Sequence, residues 1–265
     1  MKGKKVLLSF IIVLLLVGVG AGCWYLGSKS TKSNDTKEKA EKGNKDSGGE
    51  LKVKYEKKEY NRSTDNKGLI INNSITYPVS ISEGNSERII SYLNDVLMKD
   101  WDGIKENTDS DIENYDPDFN FDDSYGVEYT TTHYVKDNVI VFNVVTEGSM
   151  GGVGWHESRY FNFDLEKGNV LEINDICKNV KECKSYMKKY FLEKLKKDQR
   201  FTGLDPDYED EIEEAIFKVA NFGITKDGLI LIVPEYEIGD GTMGIFSYTI
   251  PNTEINKYLK EEYQV

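Results

Sequence analysis

The sequence predicts an α+β fold: an antiparallel or mixed sheet packed by about three helices, after an N-terminal transmembrane helix. Three observations lead there. Several stretches of the chain alternate apolar and polar residues in the period of strands, three others repeat apolar residues at helical spacing, and Val6 to Leu26 holds 21 residues without a charge. At about 1.5 Å per residue a helix of that length just crosses a hydrocarbon core. Lys2, Lys4 and Lys5 precede it. They place residues 1–5 in the cytoplasm and everything after residue 26 outside. Two alternatives stand beside the anchor. One is a cleaved signal peptide, whose apolar region is usually shorter. The other is a lipoprotein, because Gly20-Ala21-Gly22-Cys23 resembles a lipobox with Cys23 as the lipidated residue, although Gly20 replaces the usual aliphatic and bulky Trp24 follows. All three readings put the working part outside the cytoplasm.

Residues 27–50 carry one apolar side chain, Ala40, and read as a flexible linker with ends roughly 25 to 30 Å apart. Ordered structure is expected from LKVKYEKKEY at 51–60, a strand in which Leu51, Val53 and Tyr55 alternate with lysines. A second strand follows at 68–81, with Pro78 limiting it to an edge or an end. Ile89, Ile90, Leu93, Val96, Leu97 and Trp101 then mark a helix that Asn85 or Ser86 can cap. From Asp100 to Glu128 there are eleven acids and one base. Asp116, Asp118, Asn120 and Asp122 faintly suggest calcium. However, an EF-hand loop needs glycine and glutamate where this chain has Phe121 and Val127, so a solvated acidic loop is expected and no metal site is assigned.

A hairpin around Lys136-Asp137-Asn138 joins the next two strands, the first carrying His133 as a packed or half-exposed strand residue. Gly148, Gly151, Gly152 and Gly154 surround Met150 and Val153 and signal a turn or close backbone approach. A strand through Phe161 and Phe163 leads into a turn at 166–169 and the segment VLEI. Tyr186, Met187, Tyr190, Phe191 and Leu195 define a second helix with Ser185 as a possible cap, and Ile212, Ala215, Ile216 and Val219 a third. The chain closes with a turn, a buried strand at GLILIV, a loop and a further strand ending at Pro251.

Charge and cysteines narrow the function. Residues 51–265 hold 25 bases against 41 acids, a net charge of −16. That surface repels nucleic acid and attracts cations or a basic protein, although solubility alone also explains it. Cys177 and Cys183, outside the membrane with five residues between them, are expected to form a small disulfide loop at the mouth of a helix. Zinc would need two further ligands that are not spaced nearby. With His133 and His156 as the only histidines, no three-histidine site can form, and no G-x-S-x-G, H-x-x-x-H or P-loop pattern occurs.

GGVGWH at 151–156, FNFDLEKG at 161–168, Leu171, Asp175 and Ile176, TKDGL at 225–229, and VPEYEI with Gly244 and Ile250-Pro251 together carry a resemblance. The chain resembles the extracellular region of the RsiV-like family, with paired DUF4163-like (51–150) and DUF3298-like (151–265) domains that are also found in peptidoglycan deacetylases. The first domain's match is looser, through ITYP at 75–78 and the helix from Ser86 to Trp101. The resemblance implies an extracellular module of the cell envelope that recognises lysozyme or another basic wall-active protein. Five residues before Val6 leave no room for the sigma-factor-binding domain of that family, and no deacetylase domain or catalytic motif is recognisable. The reading therefore leans against an enzyme and assigns no cofactor; the alternative is binding or hydrolysis of cell-wall polymer. Candidate ligand-binding residues are Trp155, His156, Glu235, Tyr236, Glu237 and Met243, with aromatic anchors of the kind that dominate interfaces. For the enzyme alternative, Asp175, Glu235 and Glu237 would have to gather near His156.

Overall fold

The computed structural model describes residues 51–65, 68–116, 124–150, 153–201, 208–238 and 243–265. The expected transmembrane helix, the linker, Cys23 and most of the suggested calcium loop lie outside the described residues. Among those described, no helix is long and apolar enough to cross a membrane.

Five strands form a mixed sheet in the order β1-β2-β3-β4-β5: Val53–Ser63, Ile70–Ile81, Ser124–Lys136, Val139–Met150 and Val153–Asp164. All pairs are antiparallel except β2 with β3. A parallel pair needs a crossover, and helix α1 (Ser86–Glu113) provides it. Pro78 sits beyond the last residue of β2 that pairs with β3 and opposite Tyr55, where the β1 register shifts. Its missing N–H therefore removes no bond to β3.

Helix α1 covers one face of this sheet. Ile89, Leu93, Leu97 and Trp101 are buried at the expected spacing. The helix also runs twelve residues beyond Trp101, into what the acidic composition presents as a solvated loop. The reason is polar docking. The buried Asn73 donates to Thr108 Oγ1 at 2.9 Å, the Tyr60 hydroxyl to Asp109 at 2.8 Å, and the Tyr125 hydroxyl to Asp111 at 2.6 Å. Acids that read as solvent-seeking are thus hydrogen-bonded to the tyrosines of the sheet.

The C-terminal half adds α2 (Ile173–Ile176), α3 (Val180–Leu195), α4 (Tyr208–Ile216) and a three-stranded antiparallel sheet of β6 (Phe222–Thr225), β7 (Gly228–Val233) and β8 (Phe246–Pro251), followed by α5 (Asn252–Ile255). Leu229, Leu231, Phe222, Phe246, Ile212, Phe191 and Met187 form the centre of its core. VLEI is not a strand. Only Val170 bridges back to Phe163, and Glu172 and Asp175 then form a capping box that starts α2. Helix α3 begins at Val180, with Asn179 accepting from the Glu182 amide, so Ser185 is not its cap. The Cys177–Cys183 disulfide is present and buried, and Cys183 lies inside the first turns of α3.

The two sheets meet across β5. Asn162, fully buried, donates to the Phe222 carbonyl and accepts from the Ile224 amide, both at 2.8 Å. Next to it, the Tyr160 ring occupies the space where a side chain on Gly223 would stand, with 2.4 Å to a Cβ there. The C-terminal layer therefore covers the second face of the large sheet, but only at one end. On β4, Val139 and Val141 enter the C-terminal core, whereas Glu147 and Ser149, on the same face, stay exposed.

Candidate functional site

The uncovered half of that face is a polar groove of about 550 Å³. Lys57 and Asn61 of β1, Asn72 and Ser74 of β2, Glu128 of β3, and Glu147 and Ser149 of β4 line it. Strand alternation dictates this chemistry, since Ile71, Asn73 and Ile75 turn toward α1 and leave their neighbours on the other side. Gly126 is required here, because a Cβ at this position would come within 1.8 Å of the Asn72 carbonyl oxygen. The Asn73 side chain fills the gap in the β2–β3 ladder by accepting from the Val127 amide at 2.9 Å.

At the β4–β5 end the groove meets a cluster of ionisable groups. Glu147 and His156 are cross-strand partners, with 3.5 Å between Oε1 and Nδ1, and both are more than half exposed. Glu235, in the segment after β7, has its carboxyl pushed above the usual range by burial and by the charge of Glu157, while His156 opposes the shift. On the opposite face of β5, Arg159 pairs with Asp100 of α1 at 2.7 Å and lies over the Tyr129 and Phe161 rings. Burial, then Asp100, pushes the Tyr129 hydroxyl upward, and Glu157 adds to it.

The candidate ligand residues divide. Glu235 lies within the electrostatic influence of Glu157 and His156. Trp155 is half-buried, its ring lying where a Cβ on Gly148 would be, at 2.2 Å, so it seals the glycine of the facing strand. Tyr236 is 58% exposed with φ 66°, and Glu237 is engaged by Lys218 at 2.8 Å. Met243 is buried. Asp175 is occupied in the capping box, away from the role the enzyme alternative gave it. Glu147, Glu157 and Arg159 escaped the sequence reading. The hairpin register that sets Glu147 opposite His156 was the available signal, while the influence of the β5 charges on Glu235 depends on tertiary packing. Among the described residues no three His, Cys, Asp or Glu side chains are placed to hold a metal. The arrangement can bind hydroxyl-rich ligands through amides, hydroxyls and carboxylates. It also holds a histidine–carboxylate pair and a carboxyl of raised proton affinity whose titration senses that histidine, the kind of split that acid–base chemistry uses.

Comparison with known proteins adds a wall enzyme. The chain is 30% identical over 142 residues to the peptidoglycan-N-acetylmuramic acid deacetylase PdaC of Bacillus subtilis, a match covering 52% of this chain and 29% of that enzyme. This corrects the leaning against an enzyme, which rested on the absence of a recognisable deacetylase domain or catalytic motif. The chain spans under a third of that relative. Two solved structures of the DUF3298 family are similar, each with a TM-score of 0.49. The one from Bacteroides fragilis NCTC 9343 is 18% identical and covers 79% of this chain and 94% of its own; the one from Pseudomonas aeruginosa PAO1 is 12% identical and covers 81% and 95%. Residues 174–253, from α2 through the three-stranded sheet to the start of α5, match the family described as protein of unknown function DUF3298.

Proposed function

We propose that the protein engages cell-wall polymer along the open half of the five-stranded sheet. The groove running from Lys57 and Asn61 to Glu147 carries this reading, because its amides, hydroxyls and carboxylates suit a hydroxyl-rich chain. Kinship with a peptidoglycan deacetylase supports the same polymer. Chemistry on the bound chain falls to Glu235 as proton donor and to the Glu147–His156 pair as proton acceptor. The test incubates full-length protein with purified peptidoglycan and measures co-sedimentation, new reducing ends and released acetate. Saturable co-sedimentation is expected, with any turnover lost in Glu235→Gln. Protein that stays in the supernatant at every polymer concentration contradicts the proposal.

A second reading keeps a basic protein such as lysozyme as the partner, in the manner of the RsiV-like family. The net −16 of residues 51–265 favours it. Calorimetry with lysozyme at about 0.15 M salt separates it from unspecific charge attraction, which is screened there. In either reading residues 6–26 hold the folded part at the outer face of the membrane. Intact mass of the membrane fraction tests this, with a chain beginning at a lipidated Cys23 as the contrary result.

A further inference from the structure

Strand β5 is the last of the large sheet, and β4 pairs with one side of it. In such a ladder successive residues turn their main-chain groups alternately to the neighbour and away from it. Two bonds identify the outward set: the Asn162 carbonyl accepts from the Leu171 amide at 2.7 Å, and the Asp164 amide donates to the Asn169 carbonyl at 3.1 Å. The register with β4 runs without a shift, so Gly154, His156, Ser158 and Tyr160 also turn their N–H and C=O groups outward. Among the described residues none of these main-chain groups has a partner on that side. The chain thus adds its own residues 169–171 to one end of the edge, with Val170 bridging to Phe163, and leaves 154–160 unpaired. An unpaired edge is a template for a further strand, and proteins blunt such edges with lysine, proline or a bulge. The opposite edge, β1, has Lys54, Lys57 and Lys58 and a register shift at Tyr55. Residues 154–160 have none of the three.

A cavity of about 470 Å³ borders this edge on the side of α1, lined by Tyr92, Asp95, Val96, Lys99 and Asp100. Two contacts tie that flank of α1 to β5. The Tyr92 ring meets Phe163 edge-on with centroids 5.6 Å apart, and Asp100 takes the Arg159 guanidinium at 2.7 Å. A strand laid on the edge sends every second side chain to this face. There Tyr92 and Val96 offer an apolar wall. Asp100 is matched by Arg159, which leaves the exposed Asp95, and Glu157 on the same face of β5, against Lys99. An aliphatic stem with a cationic head suits such a lining.

We propose that the edge of β5 at 154–160 takes up an extended segment of a basic partner protein as a sixth strand, with a lysine or arginine side chain in the cavity beside α1. Main-chain bonds to His156, Ser158 and Tyr160 supply affinity, and the cavity supplies selection. The net charge of −16 over residues 51–265 favours a basic segment over a second copy of this chain. Such strand uptake needs neither wall polymer nor lysozyme.

The test titrates full-length protein at about 0.15 M salt with the end-blocked peptide TKTVTKT, which alternates threonine with lysine and valine, and follows amide hydrogen exchange. Saturable binding below about 1 mM is expected, with exchange at His156, Ser158 and Tyr160 slowed about tenfold or more. The amides of Glu157 and Arg159, already bonded to β4, should not change. Two further peptides carry N-methyl groups at alternate residues, one on the threonines and one on the lysines and valine. One of the two should lose about tenfold or more in affinity, because its methyls replace the amides that face β5. The peptide TETVTET, and separately the variant Asp95→Lys, should each weaken binding about tenfold, the variant without a lower melting temperature. No saturable binding of TKTVTKT by about 1 mM, or binding that leaves the three outward amides unchanged, overturns the proposal. Parent-like binding by both methylated peptides overturns strand pairing. Equal binding of TETVTET overturns the basic partner, and equal binding by Asp95→Lys overturns the role of the cavity.

Discussion

The two sheets of this protein are built to different ends. The three-stranded sheet is enclosed: Leu229, Leu231, Ile232 and Val233 of its central strand are all at most 1% exposed. The five-stranded sheet is enclosed on one face by α1 and on the other only where the C-terminal layer reaches it. Strand β4 records the change within one element, passing from Val139 and Val141 in the core to Glu147 and Ser149 in the groove. Apolar burial is concentrated where both faces are covered, and exposed polar groups appear where the cover stops. The segment after β7, anchored in the enclosed sheet, carries Glu235, whose carboxyl is raised by burial and by the charge of Glu157 on β5.

The largest expected effect comes from breaking the enclosed side. Phe222→Ala empties a fully buried site and is expected to cost about 3 to 5 kcal/mol in denaturant unfolding. A cost below about 1 kcal/mol would mean that this layer is loosely packed. Asn162→Ala attacks the joint between the sheets. It leaves the Phe222 carbonyl and the Ile224 amide without their partner, for about 2 to 4 kcal/mol. An unchanged melting curve would show that the layers do not depend on each other through this residue.

Reducing Cys177–Cys183 should matter less. Closing so short a loop is worth about 2 kcal/mol in chain entropy, and its effect belongs at the start of α3. Hydrogen exchange before and after reduction checks this. Faster exchange spread over the five-stranded sheet would contradict it.

The smallest effect is the pH dependence of Glu235. Its folded carboxyl titrates above the unfolded value of 4.5, so the folded state holds the extra proton, and stability falls as pH rises from about 4.5 through the higher folded value. Glu235→Gln should remove that loss, raising Tm slightly at pH 7 and leaving it unchanged near pH 4. A lower Tm at pH 7 would place Glu235 among the stabilising groups.

The same contrast explains what was legible in the sequence. Enclosed elements announce themselves by apolar period, as in Ile89–Leu93–Leu97 and GLILIV, and the disulfide followed from spacing and compartment. Elements held by polar contacts did not. The last turns of α1 are docked by Thr108, Asp109 and Asp111, residues whose composition reads as solvent-exposed loop. Segment VLEI became a capping box because Glu172 and Asp175 satisfy each other's backbone. His156 and Glu235 were named from their neighbourhoods in the chain. Glu147, Glu157 and Arg159 needed the strand register and the packing of α1 before they could be seen. The groove itself has no sequence signature, being four strands' worth of alternate residues left uncovered.

The most direct test of the central claim fills the groove without touching the core. Ser74→Trp places a large ring on the open face, and Lys189→Trp places the same ring on α3, on the outer surface of the enclosed half, where the lysine side chain is 74% exposed. Co-sedimentation of both full-length variants with purified peptidoglycan, alongside wild type, should show binding lost by about tenfold or more in Ser74→Trp and kept in Lys189→Trp. Equal binding by all three proteins would contradict the claim that wall polymer lies along the open face.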